Sequence, residues 1–218
     1  NAQAAFVPLP EAPTDMVLSP DEDVLFVALP ELGAIAVVHI NADGSLATPT
    51  VVTLSQPVTL DVTLSVEEDV FQKICPPGAP LSEPDPSTPA EPVRCGGMDD
   101  CAAAKPRPWA LEVDPVDHKL LVADASLPVI HVLDIDALAS GNAGAELAPI
   151  AVGSPMVDVV LTPPVPRTLG ANCDPSDPGA ECVRYVYALD AADGSVVAVD
   201  YAKSSVLLLH APSAQRAD

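Results

Sequence analysis

Two kinds of residue are scarce in this chain. Aromatic side chains make up 3% of its 218 residues, and 9 Lys and Arg stand against 31 Asp and Glu. With so few aromatics, the core has to be assembled from Val, Leu, Ala and Ile, which suits a hydrophobic share of 49%. With so few cations and a formal charge of −22, there is no basic footprint to neutralise a phosphate backbone, so nucleic-acid binding is excluded. No run of about 18 apolar residues is present, which removes membrane-spanning helices. No segment holds a 3.6-residue apolar period over three turns, so helix is a minor component at most. Also missing are a G-x-S-x-G elbow, a Gly-rich phosphate loop, a C-x-x-C-H haem site and EF-hand spacing. Disorder is equally disfavoured, because mean hydropathy is +0.31 and apolar runs recur throughout.

The cysteines speak to the compartment. Cys75, Cys95 and Cys101 share one polar, proline-rich stretch, and Cys173 and Cys182 bracket a second run of turn formers. Zinc is disfavoured, because short C-x₂₋₄-C pairs and nearby histidines are lacking. Loop cysteines of this kind read as disulfide staples of an exported protein, extracellular or periplasmic. Cys173 with Cys182 is the natural pair. Two of Cys75, Cys95 and Cys101 form a second bond, and which two is open. The chain begins with Asn1 rather than Met, as expected of a processed product or a segment of something longer. The acidity suits a soluble exported protein and would also attract cations or basic partners.

What is abundant is repetition. Asp15-Met-Val-Leu-Ser19, Asp61-Val-Thr-Leu-Ser65 and Asp158-Val-Val-Leu-Thr162 share the pattern D-x-x-L-[ST], with a weaker copy at Ala110-Leu-Glu-Val-Asp114. Their starts are 46, 49 and 48 residues apart (61 − 15, 110 − 61, 158 − 110). A proline precedes each copy: Pro13, Pro57, Pro108 and Pro155. Short β runs follow at 16–19, 24–29, 34–40 and 50–54, at 109–113, 119–123, 129–135 and 149–152, and at 157–162, 184–189, 195–201 and 205–210. Asp-Gly turns at Asp43-Gly44 and Asp193-Gly194 supply hairpin chemistry.

Four short antiparallel strands per unit of about 45 residues is the pattern of a β-propeller blade. The expected fold is all-β: a β-propeller of four-stranded antiparallel blades. About four are present, near residues 11–57, 58–107, 108–154 and 155–212, and they form part of a larger ring. The second is degenerate and carries a Pro/Cys-rich insertion, and the fourth holds a smaller insertion near 163–183.

At these residues the chain resembles the YVTN-type, lactonase-like β-propeller repeats of exported bacterial proteins. The resemblance lies in Ser19-Pro20-Asp21, Phe26-Val27-Ala28 and Gly33-Ala-Ile-Ala-Val-Val38. It returns in Leu121-Val-Ala-Asp124 with Ile130-His-Val-Leu-Asp134, and in Tyr187-Ala-Leu-Asp190 with Gly194-Ser-Val-Val-Ala-Val-Asp200. It implies a propeller fold rather than an activity, since propellers host hydrolases, dehydrogenase subunits and scaffolds alike. Family members close with six to eight blades. Completion here is therefore expected from missing blades, other protein chains or a dimer, and 6–10 reads as the outer strand of a preceding blade.

The recurring Asp15, Asp61 and Asp158 are the candidate site residues. Lined up on inner strands, they would form a carboxylate ring with the oxygen chemistry of a Ca²⁺ site. The competing reading has each Asp accept backbone hydrogen bonds at the strand entrance. No other cofactor is indicated. His39, His118, His131 and His210 are dispersed, without a His/Asp/Glu cluster at a definable spacing, and Trp109 is expected to serve packing. The function expected is an exported, non-catalytic propeller acting as a binding or scaffold module. Its partners would be other protein chains, in association with the outer cell surface. The alternative is a lactonase-like hydrolase or a dehydrogenase subunit.

Overall fold

The structure is a computed structural model that describes residues 6–55, 105–167, 173, 182–190 and 194–210. Its first sheet runs β1 (Met16–Leu18), β2 (Val24–Leu29), β3 (Ala34–His39) and β4 (Thr50–Thr53), antiparallel and in sequence order. The second has the same plan: β5 (Pro108–Asp114), β6 (Lys119–Asp124), β7 (Val129–Asp134) and β8 (Ile150–Ala151). A short helix α1 (Ile135–Ala139) leads from β7 toward β8, with Asp134 accepting from Ala137 N at 3.1 Å as its N-cap. The third sheet comprises β9 (Asp158–Leu161), then, after a ribbon of β10 (Val165–Pro166) and β11 (Cys182–Val183), β12 (Tyr185–Leu189), β13 (Val196–Asp200) and β14 (Ser205–His210).

Local chemistry sets the turns. Ser19 Oγ accepts from Val24 N at 3.1 Å and donates to Asp23 Oδ1, closing the β1–β2 turn. Between β2 and β3, Gly33 takes φ +64°, and a Cβ there would stand 2.7 Å from the Pro106 carbonyl oxygen, so only glycine fits.

The sheets then stack face to face. Val24, Phe26, Ala28, Ile35, Val37 and Val52 of the first pack against Leu111, Leu120, Val122 and Leu133 of the second and against Ile135 and Leu138 of α1. The opposite face of the second sheet, with Ala110, Leu121, Ala123, Ile130 and Val132, meets Val159, Val186, Ala188, Val197 and Val199 of the third. A sheet covered on both faces loses the alternation of apolar and polar residues, which is why β2, β6 and β7 read as unbroken apolar runs. Each buried aliphatic stabilises by about 1.5–3 kcal/mol. The strands β1, β5 and β9 lie side by side at one edge of the stack. Four-stranded meanders fanned about adjacent first strands are β-propeller blades, and the fold is all-β apart from α1 and two single 3₁₀ turns, among the described residues.

The strands expected at 16–54, 109–152 and 157–210 form within two residues of their sequence limits. The residues at 58–107 read as a second unit lie outside the described residues as far as 104. The first and second sheets nevertheless touch directly, with no layer between them. Residues 6–10, expected as an outer strand, form none. Leu9 instead packs on Val27, Leu29, Ala34 and Ala36 of the first sheet.

Candidate functional site

The inner strands carry the recurring aspartates. Asp15 spans a seam: Oδ1 accepts from Met16 N and Oδ2 from Leu111 N of the neighbouring sheet, both at 2.8 Å. Asp158 Oδ1 accepts from its own Val159 N at 2.9 Å. In the intermediate copy Ala110 offers no carboxylate, and Glu112, two residues on and on the same face, takes over by accepting from Leu161 N at 3.3 Å. Burial raises the Glu112 pKa, and the charges of Asp158 and Asp15 raise it further along the inner edge. The sequence reading missed Glu112 because the motif fixed attention on the Asp position. Asp61 lies outside the described residues. Among the described residues no group of three or more His, Cys, Asp or Glu is arranged to hold a metal.

This geometry separates two otherwise equivalent positions. Asp15→Ala strands the part-buried Leu111 N–H at a seam and is expected to cost about 1–3 kcal/mol in urea unfolding. Asp158→Ala, at an exposed position bonded, among the described residues, within its own strand alone, is expected to cost less than about 0.5 kcal/mol.

Between the second and third sheets opens a cleft of about 660 Å³, lined by Asp117, Lys119, Leu147, Arg184, Tyr201 and Ser204, among others. Arg184, just before β12, holds it together. Its Nη1 lies 2.5 Å from Asp114 Oδ1, its Nη2 donates to Asp117, and its guanidinium sits 5.0 Å from the centre of the Tyr201 ring. Asp114 is fully buried. Burial works against its charge, but Arg184 and the N–H groups of Asp117 and Val116 outweigh that and hold its pKa below the ordinary carboxylate range. Among the described residues its Oδ2 has no hydrogen-bond partner. Burial, then the Asp114 charge, pushes the Tyr201 phenol upward. Lys119 at the margin is taken by Asp134 at 2.6 Å. The ribbon beside the cleft carries the disulfide Cys173–Cys182, with Cα atoms 5.4 Å apart, as the sequence predicted. Cys75, Cys95 and Cys101 lie outside the described residues.

A third constellation corrects the reading of dispersed histidines. His131, in the middle of β7 and fully buried, places Nε2 3.0 Å from Asp124 Oδ2 and Nδ1 2.6 Å from Glu146 Oε1. Burial alone would lower its pKa. Hydrogen bonds and charge from Asp124 and Glu146 win, and it is raised to about 9, so the ring is an imidazolium at neutral pH. Both carboxylates sit below their ordinary range, because His131 and backbone or Ser55 donors overcome the burial penalty. Asp124 accepts in addition from Arg107 N, Ser126 N and Leu127 N, and Glu146 Oε2 from Ser55 N and Oγ, at the end of the first sheet. The cluster therefore ties the two sheets together rather than facing a cavity. A signal existed: Asp124 and Asp190 close equivalent strands in the repeat, and both are buried. His39 instead contacts the Ala139 carbonyl oxygen at the end of α1, and His118 lies 3.7 Å from Asp136. Trp109 is half-buried, with the Arg107 guanidinium 5.8 Å from its ring, in keeping with a packing role.

No family model matches the chain, and no curated protein is significantly similar to it. Among solved structures it is similar to hydrazine synthase of Kuenenia stuttgartiensis (14% identity, 92% of this chain and 36% of that one, TM-score 0.46). It is similar also to a periplasmic gluconolactonase of Pseudomonas aeruginosa (16% identity, 92% and 57%, TM-score 0.45) and to the WD40 repeats of RRP9 (12% identity, 93% and 39%, TM-score 0.46). The chain thus spans less than two thirds of the length of each.

Proposed function

We propose that this chain is an exported, non-catalytic β-propeller module, of the YVTN-like kind its repeats resemble, that binds or scaffolds protein partners. One observation carries the reading: among the described residues, the charged groups of the cleft and the buried His131 are already committed to each other. Arg184 is held by Asp114 and Asp117, Lys119 by Asp134, and His131 is sealed between two carboxylates. A general base needs an accessible lone pair in reach of substrate, and a buried imidazolium has neither access nor a free lone pair. The cleft instead offers fixed charges and a half-buried tyrosine on a rigid wall, which suits recognition. The Cys173–Cys182 disulfide supports an oxidising compartment, extracellular or periplasmic, and among the described residues no helix is long and apolar enough to cross a membrane.

A second reading rests on the raised pKa of Glu112 between Asp15 and Asp158. These would be part of the ligand set of a hard cation such as Ca²⁺ on the inner strands, completed by oxygen donors outside the described residues, and would serve a lactonase-like hydrolase. One titration separates the two readings. The purified chain is offered δ-gluconolactone with and without Ca²⁺, and hydrolysis at the uncatalysed rate in both is the expected result. Hydrolysis that requires Ca²⁺ and disappears in Glu112→Gln would replace the first reading by the second.

A further inference from the structure

The third sheet departs from the first at one joint. The pairs Leu18 with Leu25 and Leu161 with Val186 hold equivalent places in the two sheets. Just beyond them Ser19 Oγ accepts from Val24 N at 3.1 Å and Thr162 Oγ1 from Tyr185 N at 3.0 Å, so the same hydrogen bond closes both joints. The first sheet spans its joint with residues 20–23, whereas the third spans it with 163–184. That insertion supplies part of the cleft wall, through Pro164, Cys182, Val183 and Arg184, and Lys119 and Ile150 of the second sheet line the cleft as well.

A tight turn holds its own ends together, but a long insertion needs something else. The β10–β11 ribbon has two residue pairs, Val165 with Val183 and Pro166 with Cys182. So small a ribbon is marginal by itself, and Pro166 has no N–H to donate. The Cys173–Cys182 bond, joining residues nine apart, adds a covalent tie at the start of β11. Arg184 follows two residues later. Beyond it the chain is anchored by Tyr201 N, which donates to the Arg184 carbonyl at 3.0 Å; before it stands the ribbon. The Arg184 guanidinium reaches across the seam to Asp117 and to the fully buried Asp114. One short segment therefore sets both the cleft wall and the cation that compensates Asp114.

We propose that the Cys173–Cys182 bond is a redox-sensitive latch on the cleft. Oxidised, it holds the insertion wall and Arg184 in place; reduced, it frees both while the three sheets stay folded. The reductant is a dithiol. Its thiolate attacks Sγ of Cys182, which lines the cleft, and the S–S bond breaks with Cys173 leaving as a thiolate. Its second sulfur then displaces Cys182 and closes the reductant into a cyclic disulfide. Two electrons pass to the cysteines, which take up the two protons the dithiol gives up. The ordered cleft therefore belongs to an oxidising compartment. The latch acts on the wall itself, whatever the cleft recognises.

Nuclear magnetic resonance of the full chain, labelled at its arginine nitrogens, tests the latch, with Arg184→Met identifying the Arg184 signals. In the oxidised chain the two Nη signals of Arg184 are expected to be resolved, as for a guanidinium fixed on two carboxylates. Dithiothreitol should average them, and so should Cys173→Ser with Cys182→Ser in the absence of reductant. Far-ultraviolet circular dichroism should keep its sheet signal in both. Dithiothreitol added to that double variant should change Arg184 no further, which separates this bond from any formed by Cys75, Cys95 and Cys101. Coupling gives a second readout: the two serines should lower the urea midpoint at least about twice as much in wild type as in Arg184→Met. Arg184 signals that stay resolved without the bond, a further change in the double variant, or equal losses in the two backgrounds would each overturn the proposal. Loss of the sheet signal together with the Arg184 signals would overturn it too, by making the bond a support of the whole fold.

Discussion

Replacing His131 by Leu is expected to destabilise the fold by about 3–5 kcal/mol at pH 6, read from urea denaturation. Among the described residues the imidazolium is the cation to which both Asp124 and Glu146 bond, and the Asp124 and His131 side chains are fully buried. Removing it leaves two carboxylates facing each other out of water, the costly way to break such a group. The pH dependence identifies the cause. His131 rises from 6.5 to about 9 in the folded chain. Its contribution is complete below pH 6.5 and is lost as pH climbs through 9, a change of about 3 kcal/mol at about 1.4 kcal/mol per pH unit. The two carboxylates have lowered values, so their contribution is present above about pH 4.5 and is lost as pH falls below their ordinary range. Wild-type stability should therefore peak between about pH 4.5 and 6.5, and the gap to His131→Leu should narrow toward pH 9.5. A gap that stays constant over that range would assign the loss to packing instead.

Arg184→Met is expected to cost about 3 kcal/mol and to loosen the cleft wall. The mutation leaves Asp114 fully buried without its cation, and among the described residues its Oδ2 lacks a hydrogen-bond partner even in the intact protein. Two backbone N–H groups, from Val116 and Asp117, remain on Oδ1 and offset only part of the loss. The pKa of Asp114 should rise, so the variant should gain stability relative to wild type as pH falls through the carboxylate range, where a protonated Asp114 no longer needs its cation. Arg184→Lys keeps the charge but loses the two-carboxylate fork and the stacking on Tyr201, and should fall between the two. Urea midpoints of the three proteins at pH 4 and pH 7 order them. Equal stability of Arg184→Met and wild type at pH 7 would mean that Asp114 finds another partner.

The strands were legible because burial on both faces writes itself into the sequence. Val24–Leu29 and Lys119–Asp124 are apolar runs bounded by turn residues, and the spacing of D-x-x-L-[ST] marks where each sheet begins. Cys173 and Cys182 were legible for a similar reason, being close in sequence with turn formers between them. The site was less so. Asp124, His131 and Glu146 are 7 and 15 residues apart on separate elements, and Arg184 reaches back 70 residues to Asp114. No local pattern encodes such pairings.

The sequence by itself determined that this protein is built from four-stranded antiparallel units with an aliphatic core, because strand period, turn chemistry and composition are local properties. Only the tertiary structure decided which sheets are neighbours and which charges neutralise one another. Direct contact between the first and second sheets, despite the 54 residues between Thr53 and Pro108, follows from long-range packing. The buried imidazolium follows from it too, since a histidine acquires that charge only when folding brings two carboxylates to its ring.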